Sequence, residues 1–338
     1  MNFRALAALT ACGVAAASPS RVQAADFYAG KTLTIMVGVA PGGSFDAYAR
    51  LVGRHIARHI PGAPAVAVSN MPGADIVAAN YVGNIAPRDG TMIAALLSSV
   101  VVSQLTETGY ARFNAGQFNW IGSVASPASV LVTWRDAGVK TFEDARQKEV
   151  LIGATTGTTM EMNPTLANHI AGTRFRVIGG YLGGPDVDVA MERGEVKGRG
   201  SNAWTTYVTQ HLDWVAEKKI IPIFQSGLER ESTIPDVPTL LEFAKTDEAR
   251  RMVSIFATTD IMGRSLAAPP GVPAERVEIL RKAFNETLLD KDFLADAEKS
   301  KLIIQPVEGV KLQSIVEKVV DSPADIVVKY KKAVTRPQ

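Results

Sequence analysis

The chain has almost no cysteine: its 338 residues include one, Cys12, and that one lies in an amino-terminal stretch with the anatomy of an export signal. Once that stretch is removed no thiol is left, which excludes disulfides, cysteine nucleophiles and dithiol redox chemistry. Long apolar runs are also missing, since nothing after Ala24 approaches the ~20 continuous apolar residues that cross a bilayer as a helix. Charge of one sign is not in excess. Lys and Arg number 36 against 34 Asp and Glu, a net charge of +2, and the basic residues are scattered rather than interleaved with aromatics, so no nucleic-acid partner is expected. Histidine is scarce too. Of the four, His55 and His59 stand four residues apart but lack the glutamate of a zinc-protease helix and a third ligand, so a surface face is expected, with no metal and no cofactor.

Met1 to Arg4 carries one positive charge, Ala5 to Ala17 is small and apolar, and Val22-Gln23-Ala24 presents small residues where a signal peptidase reads. Residues 1–24 are expected to be a cleaved signal peptide and the mature product to be periplasmic. A lipoprotein box at Leu9-Thr10-Ala11-Cys12 fails because the apolar core before it is too short. What remains is long enough for two domains with cores of their own.

What is present is a repeated grammar of strand, glycine-bearing turn and helix. Leu33, Ile35 and Val37 alternate with Thr34, Met36 and Gly38 as a buried strand, which breaks at Pro41-Gly42-Gly43 and reopens as a helix at Ser44 to Asp46. Glycine lets the backbone take left-handed dihedrals and lets another molecule come close. Ser44 and Asp46 are good caps, and the helix they open turns free N–H groups and its positive end back at the turn. That is a seat for an anion, and equally a plain capped turn. It is neither a Walker loop nor a dinucleotide fingerprint, because the lysine of the first and the glycine pattern of the second are absent.

A second loop of the same kind, Asn70 to Asp75, follows the strand at Ala65 to Val68, and a third strand, Thr91 to Leu97, ends at Ser98-Ser99. In right-handed βαβ units such turns open at one edge of a parallel sheet, where α/β proteins bind ligands. Strands at Trp120 to Val124 and Val130 to Trp134 flank Ala125-Ser126-Pro127, the expected crossover into a second domain. There, the strand Val150 to Gly153, the loop Ala154 to Thr159 and a helix from about Glu161 repeat the pattern, with hydroxyls and amides from Thr155, Thr156, Gly157 and Thr158. The Gly183 to Asp186 turn opens another helix, and Trp204 reads as core. A strand at Ile220 to Phe224, an exposed helix at Glu242 to Arg251, a return strand at Ser265 to Ala268, a helix after Pro273, a strand at Leu302 to Ile304 and a helix opened by Ser322-Pro323 follow. The expected division is residues 25–127 and 262–338 in domain 1 and residues 128–261 in domain 2.

Four motifs occur in order: Pro41-Gly42-Gly43-Ser44-Phe45-Asp46 with Ala49-Arg50, Asn70-Met71-Pro72-Gly73-Ala74, Ala86-Pro87-Arg88-Asp89-Gly90, and Ala190-Met191-Glu192-Arg193-Gly194-Glu195-Val196. Together the chain resembles the substrate-binding receptors of tripartite tricarboxylate transporters, the Bug or TctC family, from about Tyr28 to about Val319. The resemblance implies a type II periplasmic binding protein of the α/β class, each domain a mostly parallel sheet flanked by helices, with a ligand cleft between the domains. It also implies a small carboxylate held by loop backbone, hydroxyls and water, commonly without an arginine. Carried onto this sequence, the candidate ligand-binding residues of domain 1 are Ala40, Gly42, Gly43, Ser44, Asp46, Gly73 and Ala74, with Ser98 added from its place at a strand end. Domain 2 supplies Thr155, Thr156, Gly157, Thr158, Gly183 and Asp186. Asp75 and Ile76 stand where the family often has glycines, which narrows the cleft or adds negative charge and weighs against citrate.

The expected function is capture of a small organic anion by domain closure and its delivery to transporter membrane subunits, by a monomer with no catalytic residue. Asp46 and Asp186 are read as caps that hold their loops, and Glu161 as turned to solvent. Carboxylates facing the cleft would instead favour a cation or zwitterion. Two other classes stay open: a secreted hydrolase using Ser44 or a loop threonine, for which no triad motif is present, and a sensor partner of a membrane kinase.

Overall fold

A computed structural model describes residues 27–335, except Gly43, residues 72–73 and 107–108, and the side chains of Ala74 and Asp75. The expected signal peptide, the candidate sites Gly43 and Gly73, and the side chains of Ala74 and Asp75 therefore lie outside the described residues.

The first lobe is built from β1 (Thr32–Val37), α1 (Ser44–His55), β2 (Ala65–Asn70), α2 (Ala74–Asn84), β3 (Met92–Ala95), α3 (Val100–Thr106) and β4 (Asn119–Ser123). The second contains β5 (Ser129–Trp134), α4 (Phe142–Gln147), β6 (Val150–Gly153), α5 (Thr159–Ala171), β7 (Phe175–Ile178), α6 (Gly184–Glu192), β8 (Gly198–Ala203), α7 (Trp204–Gln210), α8 (Leu212–Ala216) and β9 (Ile220–Gln225). Helix α9 (Asp247–Met262) leads back to β10 (Ser265–Ala268), α10 (Ala274–Leu289), α11 (Lys291–Lys299), β11 (Val307–Glu308), α12 (Gly309–Val320) and α13 (Ala324–Val334).

The first sheet has the order β11-β4-β10-β3-β1-β2 and the second β7-β6-β8-β5-β9. Strands β2, β1 and β3 run parallel, with Val37 level with Asn70 and Ala95, so the turns after these strands share one edge, as the βαβ reading requires. In the second lobe β7, β6 and β8 are parallel. Each sheet is nevertheless mixed rather than mostly parallel, because β10 is antiparallel to β3 and β4, and β5 is antiparallel to β8 and β9. The cause is topological. Strand β4 precedes the passage out of the first lobe and β10 follows the return, so the two run in opposite directions where they lie side by side.

Burial follows the periodicities. Leu33, Ile35 and Val37 of β1 pack with Leu51 and Val52 of α1, with Ile56 just after it, and with Val277, Leu280, Phe284 and Leu288 of α10. A second apolar cluster joins the lobes: Trp120 of β4, Leu131 and Phe224 of the second sheet, Phe256 of α9, Val316 of α12 and Tyr330 of α13 belong to it together. Trp204 is buried core, as expected.

Three local expectations change. Leu302 to Ile304 is not a strand; Leu302 and Ile304 pack against the core of the first lobe, and pairing starts only with the single bridge at Gln305 and then β11. The stretch Glu242 to Arg251 divides into a short turn of helix, Leu240–Phe243, and α9, which Thr246 caps by accepting the Ala249 N–H at 3.1 Å. The face at His55 and His59, expected at the surface, is docked with its neighbouring arginines on the region of α11: Arg54 Nε lies 2.8 Å from Asp296, Arg58 Nη1 2.8 Å from Asp292, His55 Nε2 3.0 Å from Asp296 and His59 Nε2 2.9 Å from Asp290. The two histidines thus face separate aspartates rather than one shared ion.

The passages between the lobes are hydrogen-bonded to one another. Val124 N donates to Arg264 O (3.0 Å), Arg264 N to Ala125 O (2.9 Å), Ser126 N to Gln305 O (2.9 Å) and Gln305 N to Val124 O (3.1 Å). Gly263 holds a positive φ of 37° there, and a Cβ on it would come within 1.9 Å of Ala125 O. Gly263→Ala is therefore expected to lower stability by about 1–3 kcal/mol, read as a lower urea midpoint at unchanged slope; an unmoved midpoint would show that the backbone of the passages relaxes freely.

Candidate ligand-binding cleft

The β1–α1 turn is organised by Asp46, whose residue is only 4 % exposed. Its Oδ2 accepts the Gly42 N–H at 2.9 Å and Arg50 Nε at 3.0 Å, and its Oδ1 accepts Asn70 Nδ2 at 2.9 Å. Asn70 closes the ring by accepting Arg50 Nη2 at 2.9 Å and donating to Val39 O at 3.0 Å, which ties the second loop to the first. The Arg50 hydrogen bond, aided by those from Gly42 and Asn70, holds the Asp46 carboxyl at about 2 despite its burial. Asp46 is thus the loop-holding residue the sequence suggested, and it occupies the seat at the helix start.

The second lobe repeats the device. Gly157 N donates to Glu161 Oε2 at 2.7 Å, again four residues on, and Glu161 is buried instead of turned to solvent. The expectation of a solvated Glu161 fails because the loop offers it an amide at the start of α5. Thr158 caps that helix through Met160 N (3.3 Å) while donating to Thr155 O (2.7 Å). Thr155 Oγ1, at the carboxyl end of β6, is buried with no hydrogen-bond partner among the described residues.

Beside the passages the two lobes share a cavity of about 200 Å³. The first lobe gives it Ser44, Tyr48, Arg264 and residues 301–303; the second gives it Ala203, Thr205, Thr206, Thr209 and Gln210, from the end of β8 and α7. Among the described residues its lining holds two cations, Arg264 and Lys301, several hydroxyls and no carboxylate. Arg264 Nε donates to Ser44 Oγ at 3.0 Å and Nη1 to Gly263 O at 3.3 Å, and its guanidinium carbon stands 4.4 Å from the centre of the Phe45 ring. Among the described residues no carboxylate comes within 4.0 Å of it, and burial pulls its pKa below the usual arginine value without discharging it. A larger cavity of about 380 Å³ contains Asp260, Glu229, Arg230 and Lys311, but its charges are engaged: Lys311 binds Glu229, Arg230 binds Glu242, and Asp260 accepts both Ser129 N and Ser129 Oγ.

Of the candidate residues, Ser44 lines the shared cavity. Ala40 and Gly42 are exposed on the β1–α1 turn, and Ser98 is half-buried beyond β3. Thr156 and Gly157 are exposed, while Thr155, Thr158 and Gly183 are half-buried. They sit beyond the carboxyl ends of parallel strands, yet the second-lobe wall of this cavity is β8 and α7 rather than Thr155 to Thr158 or Gly183. Asp186 is exposed in the first turn of α6, whose Gly183 start has no side-chain cap, so it does not hold its loop. Gly184 is there for space: a Cβ on it would meet buried Arg199, whose Nη1 binds both oxygens of Asp188 at 2.9 and 2.8 Å.

Arg264, Thr205, Thr206, Thr209, Gln210 and Lys301 were not anticipated. The available signal for Arg264 was its place directly before the return strand, where a crossover brings a side chain to the edges of both sheets.

Asp46→Asn is expected to cost about 1–2 kcal/mol at neutral pH, the lower end if solvent around half-exposed Arg50 screens the pair. Because the folded carboxyl lies near 2, its contribution is present above about pH 4 and lost as the pH falls through about 2. Acid unfolding of the variant should therefore lose part of its slope in that window. A wild-type slope would mean Asp46 carries no such linkage.

No protein-family model and no curated protein matches the chain. Solved structures do. A TctC solute binding protein from Polaromonas superposes with a TM-score of 0.69 at 18% identity, covering 90% of this chain and 98% of that one. A Rhodopseudomonas palustris protein solved with adipate gives 0.53 at 18% identity over 90% and 96%. MatC from the same organism, with bound malate, gives 0.52 at 18% identity over 90% and 99%. With nearly whole chains aligned at these identities, the likeness is one of fold: the chain has the two-lobed, type II periplasmic-binding-protein architecture of the TctC solute-binding proteins.

Proposed function

We propose that the protein is a periplasmic receptor of the TctC or Bug kind, which captures a small organic carboxylate between its lobes and presents it to the membrane subunits of a tripartite tricarboxylate-type transporter. One observation carries the reading: a cavity bounded by both lobes, lined among the described residues by hydroxyls and two cations and by no carboxylate. Such a lining favours an anion. The adipate and malate of the two similar R. palustris structures are small dicarboxylates, which fits the same chemistry.

In this proposal residues 25–127 and 262–338 move as one body and residues 128–261 as the other, about the passages at Val124 to Ala128 and at Gly263. Ligand shifts the open and closed populations by the contacts that it makes only when both lobes reach it. Ser44 supports the receptor over a hydrolase. Its hydroxyl accepts from Arg264, while His55, His59 and His211 lie against Asp296, Asp290 and Asp188. Among the described residues no histidine is hydrogen-bonded to the Ser44 hydroxyl, the contact that a nucleophile and its base make.

A thermal-shift screen of mature protein, unfolded and refolded to strip carried-over ligand, checks the reading. Some mono- or dicarboxylate at about 100 times its Kd should raise Tm by on the order of 5 °C. A response confined to amines, with every acid silent, would contradict it.

A further inference from the structure

We infer that Arg264 is the residue that pairs with the ligand's carboxylate, and that the ligand is an acid whose apolar body extends from that point into an adjoining cavity. This rests on the receptor reading and names what the cleft selects. The usual donors at such a site, loop amides at helix starts, are partly consumed here: the Gly42 and Gly157 amides are bound by Asp46 and Glu161. Each carboxylate also takes up the position at its helix start that a second anion would occupy. The charge has to be met elsewhere.

Among the arginines near the strand ends, Arg50 is bound to Asp46 and Arg199 to Asp188, whereas Arg264 faces the cavity with no carboxylate of the described residues within 4.0 Å. A guanidinium has five N–H donors, and the two contacts to Ser44 Oγ and Gly263 O leave others for a bidentate carboxylate. Its position is fixed in advance. The backbone is hydrogen-bonded to Val124 and Ala125, and the group lies over the Phe45 ring, so little conformational freedom is lost on binding. A cationic side chain at the hinge is also within reach of both lobes, which suits a contact that couples binding to closure.

The cavity at Arg264, about 200 Å³, suits a head group. A second cavity of about 580 Å³ shares Thr209, Gln210, Lys301, Leu302 and Ile303 with it and continues along Leu294, Ala297 and Ile304, with the exposed Glu298 at its edge. Aliphatic side chains there accept a carbon chain. Lys301, the remaining cation, is exposed and needs no role in holding the head group.

Isothermal titration at pH 7.5 and low salt tests both parts, using straight-chain monocarboxylates from acetate to octanoate and dicarboxylates from succinate to suberate as probes. The wild type should bind the longer acids of at least one series more tightly than the shorter. Arg264→Gln should weaken binding at least about tenfold, with Arg264→Lys in between. Leu294→Asp, on a 42 % exposed side chain, should weaken only the longer acids. If acids bind the wild type and Arg264→Gln equally well, the inference falls while the receptor reading stands. Affinity independent of chain length overturns the extended body. If no acid binds the wild type, the receptor reading itself falls and the inference with it. Should Arg264→Gln melt early by circular dichroism, Arg264→Lys decides: undiminished affinity in it overturns the role of the guanidinium fork.

Discussion

A helix start can neutralise one anion, and in this protein the anion in both lobes is a carboxylate of the chain itself. Asp46 binds the Gly42 amide and Glu161 binds the Gly157 amide, each four residues after a glycine in a left-handed conformation. The same spacing in two unrelated stretches has the same effect: the turn is closed on its own helix and held rigid without help from a guest. In the first lobe the constraint spreads through Arg50 and Asn70 to the second loop, so two turns move as a unit.

That economy has an electrostatic consequence. A carboxylate of the chain sits where a free dipole end would otherwise be open to an anion, and the proposed recognition of an acid therefore falls to a side chain. Arg264 lies where β4 and β10 run side by side and the short passages after and before them bond to each other. In the proposed reading those passages are also the pivot. The continuous apolar cluster through α9, α12 and α13 backs both sheets, which leaves the hydroxyl- and cation-lined side as the face where a solute can enter.

Much of this was legible in the sequence. The alternation in β1, the i, i+4 face of α1, the return strand at Ser265 to Ala268 and the apolar face after Pro273 all rest on periodicity, which burial enforces. Asp46 as a loop holder was legible because its residue type at a helix start has one dominant use. Glu161 was not, since the same sequence pattern fits a solvated side chain until the loop closes over it. Strand β8 was missed because Gly-Arg-Gly-Ser-Asn-Ala has no β-branched residue; it is a strand only because β5 and β6 flank it. Losing β8 also lost Thr205 and Thr206, which follow it, and with them the second wall of the cavity. Arg264 escaped for a different reason. A lone arginine acquires meaning from having no acidic partner, and contacts from 4 to 242 residues away are set by the fold, as Arg50, Arg54 and Arg264 each illustrate.

The central claim is that recognition of charge in this cleft belongs to a hinge side chain and that the loop amides at Gly42 and Gly157 stay bound to the chain's own carboxylates. A crystal structure of the protein with a bound carboxylate measures this directly. The account predicts ligand oxygens within hydrogen-bonding distance of the Arg264 guanidinium, with Asp46 and Glu161 still accepting their glycine N–H groups. A ligand seated on those two amides, with the carboxylates swung away and Arg264 uninvolved, would contradict it.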